Sequence, residues 1–160
     1  MSARPDGGRQ GSGRAAPPSG RVVALDYGSA RCGVAVSDPT RTLATPLDPV
    51  LRPATRKGFG RLVALIGELE ADMVLVGLPL SLSGGDSDQT RETRAFVQRL
   101  SDRLNLPIEV YDERFTTKLA RRSGGVMAED SRAAAVLLEE WLARGPSHEP
   151  HPTDTSTPEP

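Results

Sequence analysis

Two β-rich runs, Arg21–Asp26 and Cys32–Ser37, stand only five residues apart. A join that short has no room for a crossover helix, so the runs must pair as an antiparallel hairpin. The joining residues, Tyr-Gly-Ser-Ala-Arg, place Gly28 where a positive φ is expected. A third run, Leu43–Leu51, carries Pro46 and Pro49. Proline cannot donate to a ladder, so this run belongs at a sheet edge. The chain therefore opens as a β-meander.

The periodicity then changes. Leu62, Leu65, Ile66 and Leu69 recur at helical spacing, and Met73–Gly77 is a short apolar run of the kind buried on both faces. Thr90–Leu104 predicts a second amphipathic helix, its apolar side supplied by Ala95, Phe96, Val97, Leu100 and Leu104, and Asn105 and Pro107 stop it. Ile108–Tyr111 predicts the next strand. A short helix is expected after DERFTT, capped by Thr116 or Thr117, and Asp130–Arg144 is the closing helix, apolar through Ala134, Val136, Leu137, Leu138, Trp141 and Leu142. The order β β β α β α β α α predicts an α/β fold with a mixed five-stranded sheet and helices on both faces.

A chain of 160 residues has room for one domain. Residues 1–20 and 145–160 are rich in Gly, Pro, Ser and Thr with little to bury, and both are expected to be disordered tails around a domain of residues 21–144. The single cysteine, Cys32, excludes a disulfide framework and a thiolate zinc site. No apolar stretch approaches the ~20 residues of a membrane span, which points to a cytoplasmic protein without membrane contact. The net charge of −1 argues against a generic nucleic-acid coat, but local clusters matter more than the total.

Three acids stand out. Asp26 ends an apolar strand, where an ionised carboxylate needs a partner or a metal, and it sits at a carboxyl end, where open α/β sheets bind ligands. It also reads as a cap of its own Asp-x-Gly turn. In IEVYDERFTT, Asp112 and Glu113 point to opposite faces if the strand continues, so only one can meet Asp26, and Glu113 is favoured. Its alternative is pairing with Arg114 on a solvated rim. Asp130 heads EDSRAAAVLLEEW, where it is either a third acid or a helix N-cap.

The segments LDYGSARCGVAVSD, VGLPLSLSG, DERFTT and DSRAAAVLLEEW, in this order, resemble the YqgF or RuvX family of RuvC-like Holliday junction resolvases, also described as pre-16S rRNA nucleases. The resemblance covers nearly all of Arg21–Leu142. It implies a ribonuclease-H-like fold and a three-acid active centre, carried over to Asp26, Glu113 and Asp130. The segment Lys118–Glu129 is shorter than is usual in the family, which bears on the placement of Asp130. Three acids suit phosphodiester hydrolysis with two divalent ions, one activating water and the other stabilising the leaving oxygen. Carboxylates select Mg²⁺ or Mn²⁺, with Asp26 bridging both ions. Unmetallated, such a cluster raises at least one carboxyl pKa.

On a helix continuing from DER, Arg114, Lys118, Arg121 and Arg122 form a basic stripe suited to a phosphate backbone, or a solvated cationic face. Arg31 in the first hairpin adds a contact near Asp26. The Gly-rich loop after Gly77 is either a phosphate cradle at a helix start or a plain connection. Phe115 stacks on a base or packs in the core, Asp38 reads as a turn cap, and His148 and His151 lie in the C-terminal tail with no catalytic role. The leading expectation is a metal-dependent nuclease acting on structured nucleic acid, with 5′-end processing of precursor 16S rRNA ahead of junction resolution on branched DNA. The chain is expected to be a monomer or weak homodimer. A non-catalytic nucleic-acid-binding module and an ATP-binding actin or sugar-kinase relative are the competing classes, and the chain is too short for the second subdomain that the latter needs.

Overall fold

The computed structural model of the chain describes residues 20–80, 87–112 and 126–144, with side chains in the last segment from Ser131 onward. Eight elements follow in order: β1 (Arg21–Asp26), β2 (Arg31–Ser37), β3 (Ala44–Leu51), α1 (Arg56–Glu68), β4 (Ala71–Leu78), α2 (Asp88–Arg103), β5 (Ile108–Asp112) and α3 (Val126–Arg144). The five strands form one sheet in the order β3-β2-β1-β4-β5. β2 pairs antiparallel with β1 and β3, whereas β4 pairs parallel with both β1 and β5. A meander on one side and crossover helices on the other make this the mixed sheet of a ribonuclease-H-like fold. As its prolines require, β3 is an edge strand, and β1 is central.

Alternation along the strands divides the interior into two layers. Val23 and Leu25 of β1, Val34 of β2 and Val74 and Val76 of β4 face Phe59, Leu62 and Ile66 of α1 and Phe96 and Leu100 of α2. Val22, Ala24, Ala35 and Leu75 face the other way, against Ala134, Ala135, Leu137, Leu138 and Trp141 of α3. Helices thus cover both faces, and β4 is buried on both sides from Val74 to Leu78.

Several local expectations are corrected. Helix α2 starts at Asp88, not Thr90, because Ser87 caps it: Ser87 Oγ accepts from Thr90 N–H at 3.2 Å and Thr90 Oγ1 accepts from Ser87 N–H at 3.3 Å. Ala95 is exposed, and the buried side of α2 instead runs Thr90, Thr93, Phe96, Leu100. Helix α3 starts at Val126, so Asp130 lies inside its second turn and is not the N-cap. The short helix expected after DERFTT, and its Thr116 or Thr117 cap, lie outside the described residues.

Gly28 does not adopt a positive φ; Gly20 is the one described glycine that does. The reason for glycine here is proximity, since a Cβ would sit 2.8 Å from the Arg31 carbonyl oxygen. Asp38 does cap its turn: its Oδ1 accepts from Thr42 N–H at 2.8 Å and Leu43 N–H at 2.7 Å, and its Oδ2 from Thr40 N–H at 3.2 Å. Those donors, Leu43 N–H first and the Thr40 side chain next, hold the carboxyl well below the usual carboxylate range. Among the described residues no helix is long and apolar enough to cross a membrane.

Candidate active site

The carboxyl end of β1 lies between the meander and the parallel half of the sheet. Asp26 is the last residue of β1, half-buried, opposite Gly33 of β2. By alternation it shares the face of Val22 and Ala24, the one that α3 covers. The next residue turns to the other face. Tyr27 is 6 % exposed and stacks on Phe96 of α2, ring centroids 4.4 Å apart at 27°. Phe59 of α1 meets Phe96 edge-on at 6.2 Å, and the Arg99 guanidinium covers Phe59 at 4.0 Å. Burial, with Glu92 adding to it, pushes the Tyr27 phenol up.

On the Asp26 face the head of α3 is tied to the sheet. β2 and β3 shift register between Cys32 and Val34, and the buried Val34 N–H there donates to Ser131 Oγ at 3.4 Å. Ser131 is 2 % exposed. It follows Asp130 directly in sequence, and Val34 adjoins Gly33, the cross-strand neighbour of Asp26. The helix turn that carries Asp130 is therefore anchored at the β2 segment beside Asp26. Sequence reading missed Ser131, although its signal was present: Ser131, Ala134, Ala135 and Leu138 follow one helical stripe, so the serine had to face the sheet.

Farther along the same face, Glu109 and Tyr111 of β5 meet α3. Trp141 Nε1–H donates to Glu109 Oε1 at 3.1 Å, and the Arg144 guanidinium lies 5.8 Å from the Tyr111 ring centre. Tyr111 is 7 % exposed, and burial raises its phenol pKa while Arg144 opposes the shift. Asp112, the last described residue of β5, pairs with Leu78 of β4.

Arg31 is half-buried at the start of β2, opposite Leu51 of β3 and at the same sheet end as Asp26. Glu113, Arg114, Lys118, Arg121 and Arg122 lie outside the described residues, as does Phe115, and of Asp130 the backbone alone is described. The Gly-rich loop after Gly77 falls largely on 81–86, also outside them; the Thr90 N–H at the helix start beyond it is already taken by Ser87. Cys32 is buried on the α1/α2 face, away from Asp26. Asp26, the one proposed acid whose side chain is described, offers carboxylate oxygen, a donor suited to a hard divalent cation such as Mg²⁺ or Mn²⁺, and among the described residues no three such groups cluster.

A family model described as "RuvX: Holliday junction resolvase" matches residues 20–144. A protein of Mycobacterium ulcerans named "Putative pre-16S rRNA nuclease" is 38 % identical over 148 residues, 86 % of this chain and 84 % of its own. One of the same name from Maridesulfovibrio salexigens is 35 % identical over 133 residues, 78 % of this chain and 98 % of its own. Among solved structures, RuvC of Thermus thermophilus in complex with a Holliday junction substrate is 16 % identical, with a TM-score of 0.48 over 78 % of this chain and 94 % of that one. With a family model spanning the whole described sheet and relatives matching over most of both lengths, the chain belongs to the RuvX (YqgF) family of nucleases.

Proposed function

We propose that the chain is a metal-dependent nuclease that hydrolyses phosphodiester bonds of structured nucleic acid, with Asp26, Glu113 and Asp130 as its acids and the 5′ end of precursor 16S rRNA as its substrate. The observation that carries this reading is Asp26 itself, half-buried at the carboxyl end of the central strand, on the face where Ser131 anchors the turn bearing Asp130. The parity of β5 bears on the choice of acid: Glu109 and Tyr111 face α3, so Asp112, at the next position, turns away from the face of Asp26.

Two bound Mg²⁺ or Mn²⁺ ions would lower the pKa of a water nucleophile and neutralise charge on the leaving oxygen. Asp26 and Asp130 would hold them from β1 and α3, and Glu113 from beyond β5. The chain's own work is to fix these carboxylates in place. Tyr27, clamped on Phe96, sets the direction in which Asp26 leaves the strand, and Ser131 sets the position of the α3 head. Arg31, with Arg114, Lys118, Arg121 and Arg122, supplies cations for phosphates.

The substrate choice rests on the relatives named as pre-16S rRNA nucleases; the family's description as junction resolvases favours branched DNA as the second reading. A cleavage panel of precursor 16S rRNA, single-stranded RNA and DNA and a four-way junction, run with Mn²⁺, separates the two. Asp26→Asn and Glu113→Gln are expected to abolish cleavage while binding in Ca²⁺ stays near wild type. Cleavage at the wild-type rate by either variant refutes the assignment of the acids. Light scattering adds the assembly state, since paired incision of a junction calls for a dimer.

A further inference from the structure

A cationic concavity lies at the edge of the sheet, where β3 gives way to α1. Where β3 ends and α1 begins, a groove of about 670 Å³ is lined by Leu51, Arg52, Thr55, Lys57, Gly58 and Arg61, together with Pro49. No described lining residue is acidic, and no ion pair is formed by Arg52, Lys57 or Arg61 among the described residues. All three are exposed, and Leu51 beside them is 62 % exposed.

The groove is a built feature. Arg52 has φ 47°, a left-handed conformation uncommon for a residue with a Cβ. Three hydrogen bonds hold it there: its N–H donates to the Ala30 carbonyl at 2.9 Å, and its own carbonyl accepts from Thr55 N–H at 3.1 Å and Thr55 Oγ1 at 2.7 Å. Thr55 in turn caps α1, accepting from Gly58 N–H at 3.1 Å. Gly58 lets the helix press on this turn, since a Cβ there would lie 2.0 Å from the Arg52 carbonyl oxygen. The result is a fixed turn presenting Arg52 opposite Lys57 and Arg61.

Its place relative to Asp26 follows from the register. β1 and β3 run the same way on either side of β2, so Asp26 and Leu51 emerge at one end of the sheet, and Arg31 pairs with Leu51 between them. Two strand spacings separate β1 from β3, about 10 Å. The Arg52–Ala30 hydrogen bond ties the groove directly to the turn that follows Asp26.

We propose that this groove binds the phosphate backbone of the nucleic-acid substrate where it passes around the β3 edge of the sheet, to one side of the bond cut at Asp26, with Arg52, Lys57 and Arg61 contacting phosphates and Leu51 packing against sugar or base. The inference rests on the nuclease reading for its substrate, and the test separates the two. Binding of an RNA hairpin with a single-stranded 5′ extension, and of a four-way DNA junction, is measured in Ca²⁺ across a salt series. The triple variant Arg52→Ala/Lys57→Ala/Arg61→Ala is expected to weaken binding at least about tenfold near 0.1 M salt and to lower the slope of log K against log salt by about 2 to 2.7. The charge-keeping pair Arg52→Lys/Arg61→Lys should hold the wild-type slope. An unchanged slope in the triple variant overturns the proposal, and so does a slope equally reduced in the lysine pair, which would trace the loss to the turn's conformation. Loss of cleavage in Asp26→Asn beside a wild-type slope in the triple variant leaves the nuclease standing and removes the groove; cleavage by Asp26→Asn beside a reduced slope does the reverse.

Discussion

Ser131→Ala tests the link between the fold and the acids. The substitution removes one hydroxyl and leaves the Val34 N–H, in a residue with no exposed surface, without its acceptor. An unpaired buried amide costs about 1–3 kcal/mol. The bond is long, at 3.4 Å, which sets the expected loss at the lower end, about 1–2 kcal/mol. For a chain of this size that is a fall in Tm of roughly 3–8 °C. Urea denaturation should show a lower midpoint with unchanged m, because the surface exposed on unfolding is the same. Amide exchange at Val34 should accelerate more than at Leu75, which lies on the same sheet face but away from the serine. If the α3 head positions an acid, kcat falls with little change in KM, since substrate contacts are untouched. A variant within about 0.3 kcal/mol of wild type, with Val34 exchange unaltered, refutes the claim that Ser131 pins the helix.

Gly58→Ala forces a Cβ to within 2.0 Å of the Arg52 carbonyl and 2.6 Å of the Leu51 carbonyl, both backbone atoms that cannot rotate away; a loss of about 2–3 kcal/mol in urea denaturation is expected, and a change below about 0.5 kcal/mol contradicts the close approach. Asp38→Asn addresses pH. The folded-state carboxyl of Asp38 is depressed from its ordinary value of 3.8 by the Leu43 and Thr40 donors, so its stabilisation is complete above that value and is lost as pH falls toward the folded-state pKa. The stability difference between wild type and Asp38→Asn should therefore be constant above about pH 5 and shrink below pH 4; a difference that persists unchanged at pH 2.5 rules out this assignment.

Legibility from sequence followed the reach of the forces involved. β1 was read to the residue because its apolar run is bounded by a charge, and β3 was placed at the edge because two prolines deny it a second ladder. The head of α2 was misplaced by two residues because its box is Ser-x-x-Thr, with Thr90 in the position usually held by Glu or Gln. Gly28 was assigned to glycine-only dihedrals when its constraint is the nearby Arg31 carbonyl, a contact between residues brought together by the hairpin. The groove at Arg52 escaped altogether. Its cations read as an ordinary solvated helix start, and nothing local announces that Arg52 takes a left-handed turn or that Gly58 closes on it. Of the proposed acids, each also fits an ordinary role, Asp26 as a turn cap, Glu113 on a solvated rim and Asp130 as a helix cap, so the family resemblance was needed to join the three into one set.

The orientation of Asp26 is determined largely by the residue after it. Side chains alternate across the sheet, so a slip of one residue in β1 would turn Asp26 toward Phe96 and Phe59 and carry Tyr27 to the α3 face. The slip would place a carboxylate in the aromatic cluster, where an unpaired charge is costly, and would break the Tyr27–Phe96 stack as well. Val22 and Ala24 would exchange faces with Val23 and Leu25, putting larger side chains against α3, where Ala134 and Ala135 fit closely packed small residues. Core packing on one face therefore aims the carboxylate on the other. The site inherits its precision from apolar contacts that never touch it, so a core substitution such as Phe96→Leu can loosen Asp26 without altering any acid.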